Sequence, residues 1–134
     1  KADTPLAAAI AATCADGVNI FFDNVGAETL DAALVNMAAG GRIIVSGQVA
    51  EYNRQNPVGI REVTRFITHR LRMEGLVVYD YAPKFSDAID QMTALINAGK
   101  LTFTEDIIEG IENAPDAYVG LFGGENLGRR LIKT

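Results

Sequence analysis

The stretch NIFFDNVGAETL, residues 19–30, decides how the chain is read. With Val18 before it, Asn19-Ile20-Phe21-Phe22 has the short, mostly apolar pattern of a buried strand. The strand stops at Asp23-Asn24, passes Val25-Gly26 and enters a helical pattern from about Ala27. There Leu30, Ala33, Leu34 and Met37 share one face, and Gly40-Gly41 is expected to stop the helix. An Asx pair at the end of a strand is open to two readings. It builds a turn and caps the next helix, or it holds a ligand over the end of a sheet.

Working outward, the same alternation repeats. Upstream, Thr4 is expected as the N-cap of a first helix with Pro5 at its first position. Leu6, Ile10 and Cys14 recur every four residues, and Gly17 ends the helix. Downstream, Arg42-Ile43-Ile44-Val45-Ser46 reads as a second strand. Val63, Phe66, Ile67 and Arg70 suggest a third helix, and Met73 to Val78 a third strand. Pro83 is expected to open a fourth helix, with Phe85, Ala88, Ile89, Met92, Leu95 and Ile96 as its stripe and Gly99 as its end. Strands separated by helices of this length predict a parallel sheet with helices on its faces. Their near-continuous apolar runs suit strands covered on both sides. From Lys100 the character changes. Thr102 to Ile108 reads as a short extended piece, Asn113 as the cap of a short helix with Pro115 near its start, FGGENLG as a glycine-rich turn and Arg130 to Lys133 as a terminal strand.

The fold class expected is therefore α/β: half of a doubly wound, Rossmann-type parallel sheet with flanking helices, followed by a tail of short strands and a helix. Half a sheet leaves an open edge and partly covered apolar faces. Such a chain closes them by dimerising, or belongs to a longer protein with an N-terminal half.

Composition narrows the classes. With 134 residues, 49 % of them hydrophobic, there is enough chain for a real core. The apolar runs are too short to cross a bilayer, and no secretory signal pattern is visible. A net charge of −5 argues against a nucleic-acid partner. The single cysteine, Cys14, forms no internal disulfide, which makes a reducing, cytoplasmic setting the expectation. No Cys/His cluster has zinc-ligand spacing, so no metal is expected. Tyr52, Tyr79 and Tyr81 all miss the Tyr-x-x-x-Lys spacing of short-chain dehydrogenases. There is no G-x-S-x-G elbow, and no acidic-glycine loop of the methyltransferase type.

In a parallel sheet the carboxyl ends of the strands share one rim, and ligands bind in the crevice beyond it. Asp23-Asn24-Val25-Gly26, Ser46-Gly47-Gln48 and Val78-Tyr79-Asp80 all fall there. Gly26 and Gly47 suit a sharp turn or a close approach of backbone to ligand. Asp23 reads as a structural hydrogen-bonder rather than a base, Cys14 as core, and His69, in the basic stretch THRLR, as a residue of the surface or of a helix end. Tyr79 and Tyr81 either line a substrate mouth or pack.

FDNVGAETLDAAL, RIIVSGQ running into EYN, MEGLVVYDY and IEGIENAPDAYVGLFGGENLGRRLIK, in that order and spacing, resemble the zinc-independent medium-chain dehydrogenases/reductases of the prostaglandin reductase, leukotriene hydroxydehydrogenase and curcumin reductase type. The resemblance covers essentially the whole chain. It implies an NADPH-dependent oxidoreductase that reduces the C=C bond of α,β-unsaturated ketones and aldehydes, working as a homodimer. It further implies that residues 1–100 are the C-terminal half of the NADP-binding domain. Residues 101–134 would be a tail returning to a GroES-like catalytic domain. That domain, and the glycine-rich phosphate loop of the first strand, are not in this sequence, so the chain alone is expected to be inactive. Among its residues the resemblance puts Asn24, Ser46, Gly47, Gln48, Val49, Tyr52, Leu76, Val77, Val78 and Asn126 at the NADP(H) cofactor. Many relatives carry Cys where Ser46 stands. Tyr52 would hydrogen-bond near the ribose and the substrate carbonyl, as a catalytic or an orienting group. The alternative is a non-catalytic α/β module that dimerises through its sheet edge, at MEGLVVYD.

Overall fold

A computed structural model describes residues 4–134. They divide into two compact units, one ending at Ala82 and one beginning at Pro83. In the first unit α1 (Leu6–Thr13), β1 (Val18–Asp23), α2 (Ala27–Leu34), β2 (Met37–Val45), α3 (Thr64–Thr68) and β3 (Arg72–Gly75) alternate. The strands form a parallel sheet in the order β1-β2-β3. This is the expected α/β arrangement, with helices on the connections.

The sheet owes its packing to the stripe read from the sequence. Leu30 and Leu34 of α2 meet Met37, Ile43 and Leu71 in one buried cluster, flanked by Val18, Phe21, Val45, Phe66 and Met73. Leu34 and Ile43 are essentially without solvent contact. Strand periodicity then sends the neighbours of Phe21 to the opposite face, where Ile20 and Phe22 stand half exposed in this unit. Asn36 ties α1 to the end of α2, its amide donating to Ala7 O at 2.9 Å and Ala32 O at 2.8 Å.

Several element boundaries differ from the sequence reading. The first helix starts at Leu6 with Pro5 as its cap residue, so Thr4 makes no cap, and Cys14 lies just past the helix, half-buried. The second helix ends at Leu34 rather than Gly40. The Asn36 carbonyl accepts from Val18 N at 2.9 Å, which draws the chain into the sheet. Met37 therefore opens β2, and Gly40-Gly41 lie inside that strand instead of stopping a helix. Val18 pairs with Met37 but Ile20 with Arg42, so β2 bulges between these pairs. The bulge needs glycine: Gly40 has φ 77°, and a Cβ on Gly41 would stand 3.0 Å from the Ala38 carbonyl oxygen. The third strand is shorter than Met73 to Val78. After Gly75 only Leu76 N continues the ladder, to Val45 O at 2.9 Å, and Val78–Lys84 coil into a 3-10 segment containing Pro83.

The second unit holds α4 (Phe85–Asn97), a parallel strand pair of β4 (Glu105–Glu109) and β5 (Arg129–Lys133), and between these α5 (Ala114–Gly123). Thr102 and Phe103 precede the strand pair, and the Thr104 carbonyl starts it by accepting from Arg129 N at 2.9 Å. Asn113 is the residue before α5, but its side chain donates back to Glu109 O at 2.8 Å rather than capping the helix. Arg130, with its side chain largely buried, joins strand to helix by donating to Asp106 Oδ2 at 2.8 Å and Ala117 O at 3.2 Å.

Replacing Leu34 by Ala empties a site that is fully enclosed. Urea unfolding is expected to show a loss of about 2–5 kcal/mol with an unchanged m-value.

Candidate cofactor rim

The carboxyl ends of β1 and β2 are knotted together at Asp23, which is 1 % exposed. Its Oδ1 accepts from the amides of Val25 and Gly26, both at 2.9 Å. Its main-chain oxygen accepts from Ser46 N at 2.8 Å and Gly47 N at 3.1 Å. One residue thus shapes the turn after β1 and draws in the turn after β2. Oδ2 is buried and has no hydrogen-bond partner among the described residues. Asp23 is a structural hydrogen-bonder, as its place in the sequence suggests.

Asn24 stands exposed at the tip of the first turn, and its carbonyl accepts from Val49 N at 3.1 Å. Ala50 N donates to Val25 O at 3.0 Å, so residues 46–50 run alongside residues 23–25. Gly47 lies between them: a Cβ there would be 3.2 Å from Asn24 O and 3.4 Å from the Tyr52 hydroxyl. The absence of a side chain lets the two turns and the phenol meet. The Gln48 amide donates to the Tyr52 hydroxyl at 3.3 Å, and the ring of Tyr52 is mostly exposed. Gly26, with φ 75°, packs under the Gln48 side chain and leads into α2, whose first residue Ala27 also takes a positive φ of 48°.

Asn24, Ser46, Gly47, Gln48, Val49 and Tyr52 therefore form one patch. Leu76 reaches the same end of the sheet through its bond to Val45. Val77 and Val78 follow it, exposed, into the 3-10 segment, where Asp80 N donates to Val77 O at 3.1 Å. Asn126 belongs to the second unit, where its amide donates to Gly128 O at 2.8 Å.

Sequence reasoning passed over the residues that fasten this patch to α2. Arg54 pairs with Glu28 and Glu51, and Arg61 with Asp31 at 2.5 Å. The Glu51-Arg54 spacing was a visible signal; the partners in α2 were not. The Glu28 carboxyl is held below its ordinary range, first by its own backbone amide and then by Arg54. The hydrogen bond that Arg61 donates to Asp31 raises the guanidinium above its ordinary value. A depressed carboxylate favours the paired state above its ordinary range, so the Glu28–Arg54 contact holds at neutral pH and fades as acid protonates Glu28.

Among the described residues, no group of three or more His, Cys, Asp or Glu could hold a metal ion, and no helix is long and apolar enough to cross a membrane.

Parallel strands whose carboxyl ends carry a joined, glycine-bearing polar rim define an α/β protein of the Rossmann type. The chain belongs to the zinc-binding dehydrogenase family, which it matches over residues 2–132. It is 41 % identical over 132 residues to the 2-alkenal reductase (NADP(+)-dependent) of Nicotiana tabacum, covering 98 % of this chain and 38 % of that protein. It is 38 % identical over 117 residues to the (+)-pulegone reductase of Mentha piperita, covering 87 % of this chain and 34 % of that protein. The crystal structure of CurA in complex with NADPH from Vibrio vulnificus matches with a TM-score of 0.82 at 31 % identity, covering 96 % of this chain and 40 % of that one. The chain thus spans less than half the length of these relatives. The resemblance to medium-chain reductases of the prostaglandin reductase and curcumin reductase type is borne out by these matches.

Replacing Asp23 by Ala leaves the amides of Val25 and Gly26 without their acceptor. A loss of roughly 2–4 kcal/mol in chemical unfolding is expected, with a smaller loss for Asp23→Asn, which keeps one acceptor oxygen.

Proposed function

We propose that this chain is part of an NADPH-dependent oxidoreductase that reduces the C=C bond of α,β-unsaturated ketones and aldehydes. The observation that carries the reading is the joining of Asn24, Gly47 and Tyr52 at one end of a parallel sheet. It is supported by the likeness to a tobacco protein named as an NADP(+)-dependent 2-alkenal reductase and to a bacterial structure solved with NADPH.

The donor set suits a dihydronicotinamide ring and its ribose. Asn24 offers an exposed amide, Tyr52 an exposed phenol, and Gly47 a stretch of main chain without a Cβ. Ser46, Gln48 and Val49 would wall this side of the cofactor, and Leu76, Val77 and Val78 would hold its carboxamide through main-chain groups. When bound, the cofactor supplies the hydride, and the protein supplies orientation and electrostatics. Negative charge collects on the substrate carbonyl oxygen as the double bond is reduced. Tyr52 accepts a hydrogen bond from Gln48 N, so its own O–H remains available to donate to that oxygen. A donor fixed before the reaction stabilises the developing charge without reorganising.

In this reading residues 1–100 form the C-terminal half of the NADP-binding domain. Residues 101–134 form the tail that returns to a GroES-like domain. The protein is cytoplasmic and works as a homodimer joined through β3, an edge strand of its sheet. Light scattering of the intact protein is expected to give twice the chain mass; a monomer at working concentration would remove the dimer.

The function is tested by NADPH oxidation in the presence of a simple enone. The intact protein should turn over, the 134-residue chain alone should not, and Tyr52→Phe in the intact protein should lower kcat on the order of a hundred-fold. An intact protein that consumes no NADPH with enones or enals would overturn the reading.

A further inference from the structure

Tyr52 rides on a turn held by more than its own backbone. Glu51 N donates to Gln48 O at 2.8 Å and Arg54 N to Glu51 O at 3.0 Å, which closes the chain around Tyr52. The two charged residues flanking the tyrosine then anchor this turn elsewhere. Arg54 Nη2 lies 3.2 and 3.1 Å from the two carboxylate oxygens of Glu28, on the first turn of α2. Arg54 Nη1 lies 3.2 Å from Glu51 Oε1, an ion pair whose acid side chain is 9 % exposed. The other oxygen of Glu51 accepts from Val58 N at 2.9 Å. The Glu51 contact is one of charge alone, since its Oε1 has no hydrogen-bond partner among the described residues. The directed contact is the one to both oxygens of Glu28, which ties the turn to α2 through a planar group with fixed donor directions. Lysine, a single point charge, does not impose that direction.

We propose that Arg54 is a positioning residue for Tyr52. Clamped between Glu28 of α2 and the buried Glu51, it holds the Gln48–Arg54 turn in the one placement where the phenol reaches the Gln48 amide beside Gly47. The Glu28–Arg54 contact is open to solvent, and exposed ion pairs contribute little to global stability. Its effect is local, on the aim of one hydroxyl. The inference rests on the catalytic reading of Tyr52 given above, and its test separates the two.

The experiment uses the intact protein and compares Arg54→Met, Arg54→Lys, Tyr52→Phe and the double variant Arg54→Met with Tyr52→Phe. Amide exchange followed by NMR is expected to speed up about three- to five-fold at Gln48 and Val58 in Arg54→Met, and less in Arg54→Lys, while Ile43 and Val45 in β2 are unchanged. With an enone, kcat of Arg54→Met falls by a similar factor at nearly constant KM for NADPH. The double variant is no slower than Tyr52→Phe, because both changes act through one hydroxyl. Unchanged exchange at Gln48 in Arg54→Met, or additive losses in the double variant, overturns the proposal. Faster exchange at Gln48 together with a Tyr52→Phe enzyme of normal turnover sustains the clamp and overturns the catalytic role of the tyrosine instead.

Discussion

A carboxylate removed from solvent holds the end of this sheet together. Asp23 terminates β1, satisfies two amides of the following turn with one side-chain oxygen, and takes two amides of the next turn on its carbonyl. Buried amides left unpaired are costly, so the two turns are bound to each other through this residue. Asn24 is exposed because Asp23 is buried. The side chain that fastens the turn points inward, and its neighbour is presented at the tip. The polar end of the strand is thus both a turn and a platform.

The rim is built in layers of decreasing burial. Leu30, Leu34 and Ile43 fix α2 against the sheet. Asp23 then fixes the turns, and Gly47 allows them to touch. Arg54, Glu28 and Glu51 fix the outermost turn, where Tyr52 stands. Each layer depends on the one beneath it. A change in the core would disturb the whole rim, whereas a change in the ionic clamp would reach only the segment from Gln48 to Val58 that carries the phenol. An aromatic hydroxyl held by a backbone amide and a three-residue ionic contact is ordered without being enclosed, which suits the role proposed for it.

Family membership and the geometry of the rim support each other without saying the same thing. The match spans nearly the whole chain and fixes its kind. It does not explain why Tyr52 lies against Gly47, or why a glycine is required there. Those follow from contacts: a Cβ at position 47 would stand in the path of the Asn24 carbonyl and the Tyr52 hydroxyl. Equally, the glycines at 40 and 41 are explained by a β-bulge, a demand of strand pairing that relatives share only insofar as they share the bulge.

By itself the sequence determined the alternation of helix and strand, the parallel sense of the sheet, the core stripe of α2 and the rim on which Asn24, Gly47 and Gln48 fall. These depend on periodicity and on turn chemistry, which act over a few residues and leave local marks. Where β2 begins was decided in three dimensions, because Met37 to Gly41 joins the sheet through pairing with a strand some twenty positions earlier. The end of β3 was decided the same way: Val77 and Val78 have strand-forming side chains, but β2 offers no partner beyond Val45. The attachment of Tyr52 to α2 through Arg54 and Glu28 was also tertiary. An ion pair between residues 26 positions apart leaves no periodic trace, since its partners become neighbours only after the strand between them has folded back.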